Sequence, residues 1–138
     1  EFNDFTDPEG NSLTGEEQSH APNYQFNLGI NLQPSENWLI NVSIDGKDEF
    51  YFSDSRYYYG EAISEDDLTS EAVVLVNASV SYLADNWQVK VWARNLTDEE
   101  YANRGFYFGN DPRDGYAAKQ YTQLSEPLVF GATLDYQF

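Results

Sequence analysis

A stretch near the end of the sequence combines the side chains that small-molecule binding sites use. Residues 104–116 read Arg-Gly-Phe-Tyr-Phe-Gly-Asn-Asp-Pro-Arg-Asp-Gly-Tyr. Aromatic rings stack on sugars and other flat ligands, and the guanidinium group of arginine pairs with carboxylate or phosphate. The ligand-contact candidates are Arg104, Phe106, Tyr107, Phe108, Arg113 and Tyr116. The alternative is a loop that folds back on its own hydrophobic residues and packs against neighbouring loops. Both interpretations also apply to the tyrosines at 57–59.

The sequence nominates no catalytic group and no cofactor or metal site. It has no cysteine, and its one histidine, His20, has no serine or carboxylate partner that a motif would identify. Acidic residues are too common to nominate a general acid and base. Their spacing matches no calcium-binding loop, so cation binding stays a minor alternative to a solvated acidic surface. The formal charge of −17 argues against nucleic acid as a partner, because phosphate contacts need lysine and arginine.

The elements that would position the candidate residues are strands with a period of two. In the final segment the apolar side chains fall at every second position, while those between them are mostly small or polar: Leu128, Phe130, Ala132, Leu134, Tyr136 and Phe138 against Val129, Gly131, Thr133, Asp135 and Gln137. Such a period places the two sets on opposite faces of a strand. Its length is close to the roughly 9–11 residues that a tilted strand needs to cross a bilayer. A soluble strand alternates in the same way.

Four earlier segments show the same alternation: Tyr24 to Gln33, Trp38 to Asp45, Ala72 to Leu83, and Trp87 to Arg94. Leu39 and Trp92 are exceptions, because they stand on the polar sides of their strands. The second strand has room to extend through Phe50 and Phe52, in which case Asp48 belongs above the membrane, since a charge at mid-bilayer costs a few kcal/mol.

The beginning of the sequence reads differently. Glu1 to Phe5 is interpreted as the tail of a further strand. Thr6 to Pro22 is predicted to be a loop, because Pro8, Gly10, Gly15 and Pro22 interrupt an acidic stretch there.

Connection lengths point to a barrel. Short turns at 34–37 and 84–86 alternate with long connections at 53–70 and 103–127. Outer-membrane barrels have short periplasmic turns and long extracellular loops. The aromatic residues at the short-turn end are expected to form an interfacial girdle: Trp38, Tyr82, Trp87, Tyr136 and Phe138. The sequence therefore predicts an all-β fold, an antiparallel up-and-down transmembrane β-barrel.

The predicted strands are too few to close such a barrel. Bacterial barrels begin at about eight strands, and an open edge in lipid leaves backbone groups unpaired. Residues 1–138 are therefore expected to be the carboxyl-terminal part of a larger barrel, with five or six of its strands, and no secretory signal opens the sequence.

Two alternatives remain. One is a soluble β-sandwich binding module, which would bury Phe130, Leu134, Ile30 and Val76 between two sheets. The other is a small outer-membrane barrel or enzyme whose remaining strands come from another chain.

Several motifs resemble the TonB-dependent outer-membrane receptors. The most specific is the strand that ends in Arg94-Asn-Leu-Thr-Asp98 and is followed by Tyr101. The final Phe-Gly-Ala-Thr-Leu-Asp-Tyr-Gln-Phe138 and the Ala21-Pro22 junction before Tyr24 are also similar to that family. Residues 104–116 resemble a loop found in one subset of these receptors, and Phe138 resembles the signal that the barrel-assembly machinery reads.

The resemblance implies a 22-stranded barrel in the bacterial outer membrane, closed by an amino-terminal plug domain. Such a receptor imports a scarce nutrient with energy delivered by TonB, and it is not an enzyme. The implied partners are outer-membrane lipid, the rest of the barrel and its plug, TonB through that plug, and a siderophore, cobalamin, haem or oligosaccharide substrate. The plug and the signal peptide are expected to lie outside residues 1–138.

Overall fold

A computed structural model describes residues 1–7 and 10–138, so Pro8 and Glu9 of the predicted first loop lie outside the described residues. The strands are β1 (Gln25–Ser35), β2 (Trp38–Lys47), β3 (Phe50–Tyr51), β4 (Tyr57–Tyr58), β5 (Glu61–Ala62), β6 (Thr69–Ser70), β7 (Val73–Leu83), β8 (Trp87–Arg94), β9 (Ala102–Phe108), β10 (Lys119–Leu124) and β11 (Val129–Tyr136). Two single-turn 3₁₀ helices, Glu65–Asp67 and Pro112–Asp114, complete the described structure. No helix in it is long and apolar enough to cross a membrane.

The chain divides into two compact units. The strand unit comprises Gln25–Lys47, Val73–Glu100 and Glu126–Phe138, and the loop unit comprises Glu1–Tyr24, Asp48–Ala72 and Tyr101–Ser125. The strand unit holds one five-stranded sheet in the order β1-β2-β7-β8-β11, with every neighbouring pair antiparallel. The spatial order follows the chain order, which is the predicted up-and-down arrangement. All five predicted strands are therefore confirmed, with ends that agree to within two residues.

The register of the sheet sorts its side chains onto two faces. One row across the five strands pairs Ile30 with Val42, then Ala78, Ala93 and Phe130. The next row pairs Asn31 with Asn41, then Ser79, Trp92 and Gly131. A slip of one residue in any strand would exchange its two faces. The register thus collects the apolar alternate residues on one face of the sheet and the polar residues on the other.

The apolar face is exposed and not packed into a core. Phe130 is 78% exposed, Leu134 is 69% exposed and Ile30 is 49% exposed, and Val76 is half-buried. A β-sandwich would have sealed these four side chains between two sheets, so the sandwich alternative is wrong. The polar face instead lines an open hollow of about 450 Å³, with Asn31, Asn41, Asn77, Trp92 and Thr133 among its walls.

Trp92, the unexplained exception on the polar face, covers a glycine. It lies directly opposite Gly131 in the ladder. A Cβ atom added at Gly131 would stand 2.6 Å from Cζ2 of the Trp92 ring, which is too close for any other residue type. The guanidinium carbon of Arg94 lies 5.4 Å from the same ring. The indole thus occupies the space that a side chain on β11 would need, and its place on the polar side has a steric reason.

A hydrogen-bond belt runs across the polar face near the long connections. The carboxylate of Asp45 accepts bonds from the side-chain amides of Asn27 and Asn77. The side-chain oxygen of Asn77 accepts from the backbone N–H of Asn95 at 3.0 Å, and the Asn95 amide donates to the carbonyl of Glu126 at 3.1 Å. This inner belt links β1, β2, β7, the end of β8 and the approach to β11.

Three expectations about the connections are corrected. β2 ends at Lys47, and Phe50 and Phe52 are instead buried in the loop unit, where their rings lie 5.7 Å apart. Glu1 to Phe5 does not form a strand, since the bridge that the described residues show there is Thr6 with Ser12. The long connection at 103–127 is largely an antiparallel hairpin of β9 and β10.

The two faces of the sheet generate a test. Val91, in the middle of β8, is 55% exposed and lies opposite Val80 and Ala132. We expect Val91→Arg to destabilise the protein in membranes by about 2–4 kcal/mol, because arginine at mid-bilayer is that costly. The measurement is the midpoint of urea-induced unfolding of the complete protein reconstituted in lipid.

The matched control is Asn31→Arg, which places the same side chain on the polar face. It should leave the urea midpoint nearly unchanged. An equal loss of stability in both variants would contradict the assignment of the apolar face to lipid.

Candidate functional site

The candidate loop is organised as a hairpin with a rigid end. β9 and β10 pair from Phe108 opposite Lys119 to Arg104 opposite Gln123. At the closed end the Asp111 side chain accepts from the backbone N–H of Arg113 at 3.0 Å, and Gly115 ends the short helix with a φ of 71°. Only glycine fits at Gly109, since a Cβ atom there would collide with the carbonyl oxygen of Tyr116. Glycine, aspartate and proline residues thus define the turn.

The hairpin has two faces with different environments. Its inner side contacts the rest of the loop unit. Gly105 is covered by the Phe52 ring, the Tyr107 ring stands 5.8 Å from that of Tyr58 with its edge toward it, and the Tyr58 hydroxyl accepts from the backbone N–H of Gly109 at 3.2 Å. The alternative of a loop that packs against its neighbours therefore describes this side.

The other side, which we call the exposed face, consists of Arg104, Phe106, Phe108, Lys119, Tyr121 and Gln123. Phe106 is 60% exposed, and the Phe108 and Tyr121 rings lie 4.9 Å apart with a tilt of 34°. The Tyr121 hydroxyl donates to the side-chain oxygen of Asn110 at 2.7 Å. An open depression of about 550 Å³ lies at this end, lined by Asn110, Asp111, Pro112, Arg113, Lys119 and Tyr121.

Charged side chains are paired within this depression. Arg113 donates two hydrogen bonds to the Asp111 carboxylate, from Nε at 2.9 Å and from Nη2 at 2.8 Å. Lys119 donates one from Nζ to the Asp114 carboxylate at 2.8 Å. The hydrogen bonds from Arg113 lower the pKa of the Asp111 carboxyl group, and the bond from Lys119 lowers the pKa of Asp114. Both carboxylates are therefore ionised at neutral pH. Arg104, at the other end of the hairpin, has no ion pair in the described part of the chain.

The structure divides the six sequence candidates. Arg104, Phe106 and Phe108 share the exposed face, whereas Tyr107 points to the packed side. Arg113 borders the depression and is bound to Asp111. Tyr116 is 63% exposed at a φ of 63°, outside the lining of the depression. Their roles as ligand contacts stay predictions.

Sequence reasoning missed Lys119, Tyr121 and Asn110. The signal was available in Lys119-Gln-Tyr-Thr-Gln123, where every second residue belongs to the exposed face. Two β-prone segments around a turn rich in glycine and proline predict a hairpin, and a hairpin places Tyr121 opposite Phe106. Among the tyrosines at 57–59, Tyr58 packs against the hairpin and Tyr59 is 92% exposed.

The other connection in the loop unit is held by Arg56. Its guanidinium lies 3.6 Å from the centre of the Tyr51 ring and donates to the carbonyl oxygens of Ser53 and Glu17. The Tyr51 hydroxyl donates to Glu65 at 2.7 Å, and this bond raises the pKa of Tyr51 to about 12. His20 lies with its ring 5.6 Å from Phe50. Within residues 1–7 and 10–138, no group of three or more acidic or histidine side chains could hold a metal ion.

The predicted girdle residues lie together at the short-turn end of the sheet. The Trp38 and Tyr82 rings are 5.0 Å apart, Tyr82 and Trp87 are 5.4 Å apart, and Tyr136 and Phe138 are 5.1 Å apart. Trp87 stands opposite Tyr136 in the ladder. These rings form a band across the short-turn end of the strand unit, which is the arrangement that an interfacial girdle requires.

Asn95 fixes the junction between β8 and the chain that follows it. Its side chain is 4% exposed, donates to the carbonyls of Glu99 (2.9 Å) and Glu126 (3.1 Å), and accepts from the backbone N–H of Glu99 (3.0 Å). Its φ is 50°, a conformation that asparagine tolerates. Asp98 accepts from the backbone N–H of Leu128 at 2.8 Å. Asn95 and Asp98 thus shape this exit through side-chain to backbone bonds.

This junction gives a second test. We expect Asn95→Gly to lower the free energy of unfolding by about 2–4 kcal/mol, because glycine keeps the backbone angle but leaves three backbone groups without their partner. Asn95→Asp should lower it at least as much, since it keeps the acceptor but sets a buried carboxylate oxygen against the carbonyls of Glu99 and Glu126. Leu96→Ala, at a side chain that is 45% exposed, is the matched control and should change little. A glycine variant as stable as the control would contradict this role.

Comparison with known proteins places the chain in a family. Residues 1–96 match the family model described as TonB dependent receptor-like, beta-barrel, which is well over half of the chain. No curated protein and no solved structure matches the chain. The family is one of transporters of the bacterial outer membrane and not of enzymes.

The family match and the geometry support each other. The matched range covers β1, β2, β7 and β8. β11 lies beyond it, but it pairs with β8 along its whole length and continues both faces of the sheet. The chain therefore belongs to the TonB-dependent receptor family, and its strand unit is part of the β-barrel of an outer-membrane transporter.

Proposed function

We propose that the protein captures a nutrient on the exposed face of the β9–β10 hairpin and imports it with energy that TonB supplies through a plug domain. The observation that carries this proposal is the division of the hairpin into two faces. On one face Tyr107 and Gly105 are covered, and a hairpin with a purely structural role would need no more than this packing. On the other face Phe106 and its neighbours are exposed. Exposed aromatic clusters rimmed by polar residues mark binding sites.

Residues 1–138 are proposed to be the carboxyl-terminal part of a longer barrel. Among the described residues, β1 and β11 each pair along one edge and do not pair with each other. Each backbone group left unpaired in hydrocarbon would cost several kcal/mol. Further strands from the same receptor would satisfy both edges, and its signal peptide and plug would also lie outside residues 1–138.

The partners follow from the faces of the sheet. Lipid would cover the apolar face, with Trp38, Tyr82, Trp87, Tyr136 and Phe138 as the periplasmic girdle, and the plug would contact the polar face. TonB would act through the plug, and the assembly machinery would recognise Phe138. The substrate would be a siderophore, cobalamin, haem or an oligosaccharide.

A mutation of the exposed face tests the capture site. Uptake of the four nutrients is first compared in cells with and without the complete protein. The assay then uses the nutrient whose uptake requires it. We expect the double change Arg104→Ala and Phe106→Ala to raise the half-saturating concentration for uptake by about tenfold or more, because a charged bond and a stacking surface are both lost. The amount of folded protein in the outer membrane should stay the same.

Thr122→Ala is the matched control. Thr122 is exposed on β10 and lies opposite Gly105, on the other side of the hairpin. Its replacement should leave uptake unchanged. Uptake that is equal in the double variant and in the control would refute the hairpin as the capture site.

A further inference from the structure

The exposed face holds groups suited to a particular ligand chemistry. We propose that its ligand is a neutral oligosaccharide, whose rings stack on Phe106, Phe108 and Tyr121 and whose hydroxyl groups bond Asn110 and the Asp111–Arg113 pair. This rests on the proposed capture at this face, and it names the substrate class.

The rings supply an apolar platform of the right kind. Phe108 and Tyr121 lie 4.9 Å apart, and Phe106 stands directly opposite Tyr121. Phe106 and Phe108 are two residues apart on one strand, so their side chains project from the same side about 7 Å apart. The C–H face of a pyranose ring is apolar and flat enough to lie on such rings. A row of them can receive successive sugars along the hairpin.

The polar groups beside the platform offer donors and acceptors together. The Asn110 side-chain oxygen already accepts from Tyr121, which fixes the amide and leaves its NH₂ group as a donor. Asp111 is held in place by two bonds from Arg113, and the side chain of Arg113 remains 88% exposed. A hydroxyl group donates one bond and accepts others. Adjacent sugar hydroxyls therefore match a fixed carboxylate beside a guanidinium and an amide.

The charges at the site disfavour an anionic ligand. In the depression Arg113 is matched by Asp111 and Lys119 by Asp114, so no cation there is in surplus. The remaining segments of the loop unit, residues 1–24 and 48–72, contain fourteen acidic residues and one basic residue. A ligand bearing carboxylates or phosphates would be repelled by the field of these acidic residues. Ferric chelates of catechols and haem with its propionates are anionic and fit this surface poorly.

The test is binding by the complete protein in detergent, followed by titration calorimetry. The neutral probes are maltohexaose, cellohexaose, laminarihexaose and xylohexaose. The competing probes are ferric enterobactin, ferrichrome, haemin, cyanocobalamin and oligogalacturonate. We expect a neutral hexasaccharide to bind with a Kd that changes little from low salt to about 0.5 M salt, because no charge is neutralised.

Two substitutions locate that binding. Tyr121→Ala should weaken it at least tenfold. Tyr121→Phe keeps the ring but releases Asn110, so it should weaken binding less and serves if the alanine variant does not fold. Thr122→Ala should bind as the unchanged protein does. Binding of a neutral sugar that both Tyr121 variants leave intact would overturn the site.

The remaining outcomes decide the ligand class. Binding confined to a ferric chelate, haemin, cyanocobalamin or oligogalacturonate would overturn the neutral oligosaccharide, and the import function would stand. Absence of binding by every neutral probe would overturn it as well. A different result would overturn the import proposal alone. In that case a neutral sugar would bind in a way that depends on Tyr121, but the double change at Arg104 and Phe106 would leave uptake unchanged.

Discussion

The strand unit depends on one constraint, the register of its antiparallel ladder. Antiparallel pairing joins each strand to its neighbours, and the same pairing decides which side chains face out. Phe130 and Leu134 are therefore exposed for the same reason that Asn41 and Ser79 line the hollow. A sheet with an apolar outside and a hydrogen-bonded inside is stable only where the outside is hydrocarbon, so the register itself selects the membrane as solvent.

The two ends of the sheet are built from different interactions. The short-turn end carries the aromatic band, in which Trp38, Tyr82 and Trp87 contact one another. The end nearest the long connections carries the inner belt, in which Asp45 and Asn77 join neighbouring strands. Asn95 extends this belt to the chain preceding β11. The belt thus ties together the strand ends from which the two long connections emerge, while the loop unit keeps a small core of its own around Leu13, Phe50, Phe52 and Leu68.

Much of the strand unit could be predicted from the sequence, because period-two alternation is a local signal and each strand carries it. The loop unit could not be predicted in the same way. Phe50 and Phe52 continue the alternation of β2, yet both are buried in the loop unit. Phe52 covers Gly105, which is far along the chain, and no local pattern reveals that contact. Tyr121 was missed because its importance arises from pairing with Phe106 across a turn. Arg104 and Tyr107 looked equivalent in sequence, and only the pleat of the hairpin separates them.

The contact between Trp92 and Gly131 has a consequence for how the last strand finds its place. Shifting β11 along β8 by a single position would place Phe130 or Ala132 opposite Trp92 and drive its side chain toward the indole. The contact between Trp92 and Gly131 lies on the polar face of the sheet, so its effect on the register does not depend on lipid. The contact therefore favours the observed register of β11 on β8 whether the apolar face meets water or hydrocarbon.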